Sequence, residues 1–198
     1  MTTVLEYAAP AVDRREILRY AGVRGKAAEI EELLEECLAE LLDKLVYRVC
    51  YRRLSREAAG ELIGDSVTAE GFLAGYDQVL VFGATVGLAP DRLMLKYGNV
   101  APTKALLMQA IGAERIEALC DSFCEDLATH PGTTVGRRFS PGYGDLPLEC
   151  QTRIFALLDC PKAIGLTLNE SLLMSPTKSV TAMMGVRDGA PKDNGRRL

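Results

Sequence analysis

The sequence predicts an α+β fold in one domain. Two observations carry that class. Apolar residues recur at helical spacing over long stretches, and short β-branched runs bounded by turn residues stand between and after them. A third narrows it: the regular strand–helix–strand period of a doubly wound sheet is missing. The 198 residues suffice for one domain or two small ones, and with 48% hydrophobic residues they can bury a substantial core.

Residues 1–12 contain Ala8-Ala9-Pro10-Ala11 and read as an extended arm. Asp13 can cap a short helix through Tyr20, with Glu16 reaching back as in a capping box, and Ala21-Gly22 ends it. Residues 26–53 read as one long helix: Ile30, Leu34, Leu38, Leu41 and Leu45 form an apolar stripe, with Glu31, Glu32, Glu35, Glu36 and Glu40 mostly off it. The heptad pattern is too short to favour a coiled coil over a core helix with a solvated acidic face. The segment from Leu54 is less regular and broken by Gly60, Gly64 and Gly71; residues 77–84 form a buried strand. Pro90-Asp91 opens a helix toward Tyr97, and Pro102 sits near the start of a long helix through 128. Residues 129–136 read as a loop. A helix over 146–158 takes Asp145 as its N-cap and is stopped by Pro161; strands follow at 164–168 and 179–186. Residues 187–198 are polar, punctuated by Pro and Gly, and read as a disordered tail.

Composition excludes several function classes. The net charge is −4 with no long basic run, which argues against nucleic acid as the main partner. No window reaches the roughly 18 apolar residues of a membrane span, and the first residues lack a secretory pattern, so a cytoplasmic location is expected. The six cysteines are then expected to be reduced. Cys120 and Cys124 lie on one helical face, but no further Cys pair or His-x-x-x-His completes a metal set, so structural thiols are the favoured reading. His130 is the single histidine and has no evident triad partners; there is no P-loop and no Gly-x-Gly-x-x-Gly after a strand. No complete catalytic site is legible.

One stretch stands out: Arg138-Phe139-Ser140-Pro141-Gly142-Tyr143-Gly144-Asp145. Arg138 offers a planar fork of donors that fits a carboxylate. Gly142 and Gly144 allow positive φ or close approach of a ligand, and Tyr143 offers an aromatic face and a hydroxyl. Together they suit a small zwitterion, although Pro-Gly-x-Gly alone is more often only a turn. Arg138, Gly142 and Tyr143 resemble the Arg-x-x-x-Gly-Tyr signature of the activation domain of cobalamin-dependent methionine synthase. The likeness continues through residues 151–158, 164–171, Met174-Ser175-Pro176 and Ser179-Val180. It is specific over roughly 78–186 and weak up to about 77.

The resemblance implies a single α+β domain over 1–186, with a mainly antiparallel sheet flanked by long helices. It implies S-adenosylmethionine as ligand: Arg138 for the carboxylate, the backbone of Ser140 to Gly142 for adenine or ribose, Tyr143 for the sulfonium or ring contacts, and Glu117 for the ammonium. Glu117 reads equally well as an exposed helix residue. Two family contacts, an acid near the N-terminus and a tyrosine beyond the last strand, have no match here. No cobalamin-ligating Asp-x-His-x-x-Gly is present, so cobalamin would enter only through a partner. The expected role is a stand-alone activation subunit, an accessory in methionine biosynthesis. It would dock on the corrinoid-binding domain of a synthase lacking its own activation domain, with a flavodoxin- or ferredoxin-type candidate reductant. The alternatives are a scaffold module that kept the fold but lost ligand binding, and a small-molecule methyltransferase.

Overall fold

The computed structural model describes residues 1–25 and 28–189. The chain forms, in order, β1 (Thr3–Glu6), α1 (Arg14–Tyr20), α2 (Ala28–Leu41), a single 3-10 turn, β2 (Arg48–Ser55), α3 (Arg56–Ile63) and α4 (Val67–Leu73). There follow β3 (Gln78–Thr85), α5 (Ala89–Tyr97), α6 (Pro102–Ala128), β4 (Thr133–Val135), α7 (Cys150–Leu158), α8 (Cys160–Ile164), β5 (Thr167–Leu168), β6 (Met174–Ser175) and β7 (Ser179–Asp188). The main sheet has the order β1-β2-β3-β7-β4, and every neighbouring pair is antiparallel. The α+β class with a mainly antiparallel sheet therefore holds.

Two strands carry the centre of the sheet. In β3, Leu80, Phe82 and Ala84 face one side and Val79 and Val81 the other, and all are buried. Alternation turns successive side chains to opposite faces, so a strand buried on both faces must be apolar at every position. The second half of α6 covers the first face. Phe123 sits at its centre, with its ring 5.1 Å from that of Phe82 and 5.5 Å from that of Tyr51. Helices α3, α4, α7 and α8 cover the other face. The first half of α6 runs past the sheet, and there Leu107, Met108 and Ile111 pack against Ile17 of α1, Leu34 and Leu38 of α2 and Leu93 of α5.

Several boundaries differ from the sequence reading. The helix expected over 26–53 stops at Leu41, and residues 48–55 are β2, paired along their whole length with β3. Val49, Cys50 and Tyr51 gain a ladder and two packed faces as a strand, which outweighs a stripe that continues only through Leu45. The arm is partly strand: Thr3 to Glu6 pairs with β2. Asp13 does cap α1, its Oδ1 accepting from the backbone N of Arg15 at 2.9 Å and of Glu16 at 3.2 Å. Glu16 does not close the box; it pairs with Arg19 instead, at 2.6 Å. Pro161 opens α8 rather than ending α7, and Thr167-Leu168 pairs with Met174-Ser175 in a separate ribbon. The expected tail at 187–198 begins too early, because Arg187 and Asp188 extend β7 and pair with Thr134 and Thr133 of β4. Residues 190–198 lie outside the described residues. No described helix is long and apolar enough to cross a membrane.

Candidate ligand-binding cleft

The signature begins as a continuation of the sheet edge. Phe139 exchanges both backbone hydrogen bonds with Met183 of β7, each 2.8 Å. Its ring is buried and stacks on Phe72 of α4 at 4.6 Å. In extended backbone the residues on either side point the opposite way, and Arg138 accordingly reaches α6. Its Nη2 lies 3.1 Å from Glu117 Oε2 and 2.8 Å from Asp121 Oδ1. The two acids stand one helical turn apart, so the single nitrogen Nη2 reaches both. Arg138 Nη1 is buried and has no hydrogen-bond partner among the described residues. A buried donor without an acceptor is costly, and such groups mark strain or a site that binds something.

Past Phe139 the chain turns back. Gly142 has φ +88 and its N–H bonds Leu146 O at 2.9 Å. Gly144 has φ +59, and a methyl group there would lie 2.7 Å from Thr68 Oγ1. Any side chain at either glycine is strained, and one at Gly144 also collides with α4. Asp145 does not cap the helix that follows, which starts only at Cys150. It reaches across to the start of α4, where its carboxylate accepts from Ser66 Oγ at 2.6 Å, Val67 N at 2.9 Å and Thr68 N at 3.1 Å. The Ser66 hydroxyl first, and then Thr68 and Val67, hold its pKa down at about 2.

That value makes a prediction. A carboxyl whose folded pKa is depressed contributes stability that is present above its ordinary value of 3.8 and is lost as pH falls toward about 2. In Asp145→Asn the fall of the melting temperature between those two pH values should be shallower than in wild type, and the neutral-pH midpoint lower. Identical acid limbs in a melt series would show that Asp145 does not tie the loop to α4.

Between this loop, α4, α6, the ribbon and β7 lies a cleft of about 910 Å³. Glu117, Arg138, Ser140 and Tyr143 line it together, as the sequence reading grouped them. Gly142 does not line it; it shapes the turn that carries Tyr143. Tyr143 is 68% exposed and stands at the rim. Sequence reasoning missed Phe72, Gln151 and Thr181 in the walls, and Asp121 behind Arg138. Asp121 was detectable as the residue four after Glu117 on the same helix. Gln151, only 4% exposed and bonded through Nε2 to Leu172 O at 3.3 Å, gave no signal of its own. Glu117, Asp121 and Arg138 together carry one net negative charge, beside apolar walls from Phe72, Leu148 and Met174. His130 is exposed, with Nδ1 3.1 Å from the backbone oxygen of Asp126. Among the described residues there is no group of three His, Cys, Asp or Glu side chains that could hold a metal ion.

Fold and cleft define a class: an α+β module that presents a Gly-Tyr turn and an acid-braced arginine at the edge of an antiparallel sheet. Residues 121–191 match the family model described as "Vitamin B12 dependent methionine synthase, activation domain". That stretch includes Asp121 and the whole signature. A crystal structure described as the MetH reactivation domain bound to AdoHcy superposes with a TM-score of 0.64 at 16% identity, covering 93% of this chain and 78% of that one. The activation-domain resemblance read from the signature therefore stands over the matched residues, and the likeness of fold, over 93% of the chain, takes in most of the N-terminal part that the sequence matched only weakly. No curated protein matches the chain.

Proposed function

We propose that this chain binds S-adenosylmethionine in the cleft at Arg138 and serves as an activation module for a corrinoid-bearing methionine synthase. The observation that carries the reading is the buried Nη1 of Arg138, unpartnered among the described residues, within an Arg-x-x-x-Gly-Tyr signature at the wall of a ligand-sized cleft. A ligand carboxylate supplies the acceptor this donor lacks. S-adenosylmethionine carries one net positive charge, which complements the net negative charge of Glu117, Asp121 and Arg138. Glu117 takes the ammonium, while Asp121 keeps the guanidinium in place. The Tyr143 ring meets the sulfonium side of the ligand, since cations are drawn to aromatic faces. The backbone of Ser140 and Gly142 is left for adenine or ribose.

The chain's own contribution is positioning. The ligand, when bound, supplies a methyl group, and the arginine, acids and Gly-Tyr turn hold it in one orientation at a cleft whose rim is open to a docking partner. This sequence carries no cobalamin-ligating motif, so the corrinoid belongs to the partner in this reading. Acting in trans on a synthase without its own activation domain is the finer form of the proposal, with a flavodoxin- or ferredoxin-type protein as electron donor. One observation favours the scaffold alternative: Arg138 Nη2 is already paired with two acids, so the cluster has a self-contained structural role as well.

Calorimetric titration of S-adenosylmethionine into the purified chain, with and without a corrinoid-bearing synthase fragment, separates the two. Saturable one-to-one binding is expected, together with tighter association of the synthase in its cob(II)alamin form than in its methylated form. Absence of ligand binding under both conditions would leave the scaffold reading. Ligand binding with equal affinity for both cobalt states would keep the site and remove the reactivation role.

A further inference from the structure

Two thiols meet across the core beneath α7 and α8. Cys50 stands in the middle of β2 and Cys160 opens α8; both are fully buried, with their Sγ atoms 4.0 Å apart. Directly opposite Cys50 in the ladder is Gly83 of β3. A methyl group at Gly83 would lie 3.3 Å from Cys160 Sγ and 3.4 Å from Cys50 Sγ, so the two sulfurs fill the space that the missing side chain leaves. Of the other four cysteines, Cys124 meets Met184 Sδ at 4.0 Å, and Cys150 points its thiol at Leu62 O at 3.4 Å.

We propose that Cys50 and Cys160 are an oxidation site at which a peroxide links β2 to α8 through an intramolecular disulfide. A hydrogen bond with the Cys160 thiol outweighs burial and holds the Cys50 thiol below its ordinary value, which makes Cys50 the sulfur that attacks first. Its thiolate displaces hydroxide from the peroxide as the O–O bond breaks, giving a sulfenic acid, and the hydroxide takes up the thiol proton to become water. The Cys160 sulfur then attacks the sulfenic sulfur, the S–O bond breaks, and the oxygen leaves as a second water carrying the Cys160 proton. Two thiols are oxidised and one peroxide is reduced to two waters. The sulfurs have to close from 4.0 Å to about 2.05 Å. Helix α8 is the element suited to give: it has five residues and is bracketed by Asp159 at φ 53 and Gly165 at φ 72. Local opening of this single turn also admits a small oxidant to buried sulfur.

The test uses the full chain, fully reduced, exposed to graded hydrogen peroxide without denaturant, then alkylated and measured as intact mass and as mapped peptides. The expected product is about 2 Da lighter before alkylation, because two hydrogens are lost. It retains four alkylatable thiols, yields a linked peptide holding Cys50 and Cys160, and returns to six alkylatable thiols on reduction. Cys160→Ala should abolish the linked product and leave oxygen adducts on single cysteines. Because that variant also removes buried core volume, the wild-type peptide map decides by itself. Six surviving thiols at peroxide levels that oxidise exposed methionine would overturn the proposal, and so would a link between any other pair.

Discussion

Arg138→Ala is expected to weaken S-adenosylmethionine binding by about 2–4 kcal/mol, roughly 30- to 1000-fold, because it leaves the ligand carboxylate without its charge-assisted partner in a partly dry cleft. Arg138→Lys should recover only part of the loss. An ammonium is a point donor and cannot span Glu117, Asp121 and the ligand with one planar fork. The ligand-free protein should change little. Arg138 pairs with acids whose side chains are 45% and 63% exposed, and ion pairs of that kind are worth about 1 kcal/mol or less. Calorimetry on wild type and both variants, beside thermal melts without ligand, measures both effects. Unchanged affinity in Arg138→Ala would remove the carboxylate assignment. A large drop in melting temperature without ligand would show that the arginine's first task is structural.

The parts of this molecule that were legible in the sequence are those where local pattern and tertiary packing agree. Helix α6 was readable because its long apolar period begins at a proline, and β3 because its stretch from Val79 to Ala84, buried on both faces, has no polar position to disguise it. Strand β2 was not readable, since Leu41 and Leu45 continue the stripe of α2 and Val49 fits either period; pairing with β3 decides the matter, and pairing is not a local property. Asp145 shows the same limit in the cleft. Its residue type announced a cap, and it is one, but the helix it caps begins 78 positions earlier in the chain, at Val67.

The candidate site divides in the same way. The signature gave Arg138, Gly142 and Tyr143 because they are neighbours in sequence, and the fold brings Glu117 to them. Phe72, Gln151 and Thr181 come from three other elements and meet only because α4 and α7 pack on one face of the sheet and β7 runs beside the signature. An arginine with two acids also looks different in three dimensions. The sequence reading assigned Arg138 to the ligand alone, whereas the structure makes it a braced group with one donor still unmatched.

The largest stability effect is expected far from the cleft. Arg115 on α6 is 0% exposed and Glu114 beside it 4%. Arg115 Nε bonds Glu114 Oε2 at 2.5 Å, while Nη1 and Nη2 each donate at 2.6 Å to the backbone oxygens of Pro10 and Ala11. Glu114 Oε1 accepts from Asp13 N at 3.0 Å, so the pair fixes the segment that delivers Asp13 to its cap on α1. Burial works to lower the Arg115 pKa, but the Glu114 carboxylate beside it more than offsets this, and the net direction is up. Glu114→Ala therefore leaves a buried guanidinium without its counter-charge, which costs about 3–5 kcal/mol. For a chain of this size that corresponds to a fall in melting temperature of about 6–20 °C. The double variant Glu114→Leu with Arg115→Met removes both charges and keeps the volume, so it should lose less than either single change. Melts of Glu114→Ala, the double variant, its two component single variants and wild type check this. A Glu114→Ala protein melting within a degree or two of wild type would mean that Arg115 reaches water, and that the N-terminal arm is held by something other than this pair.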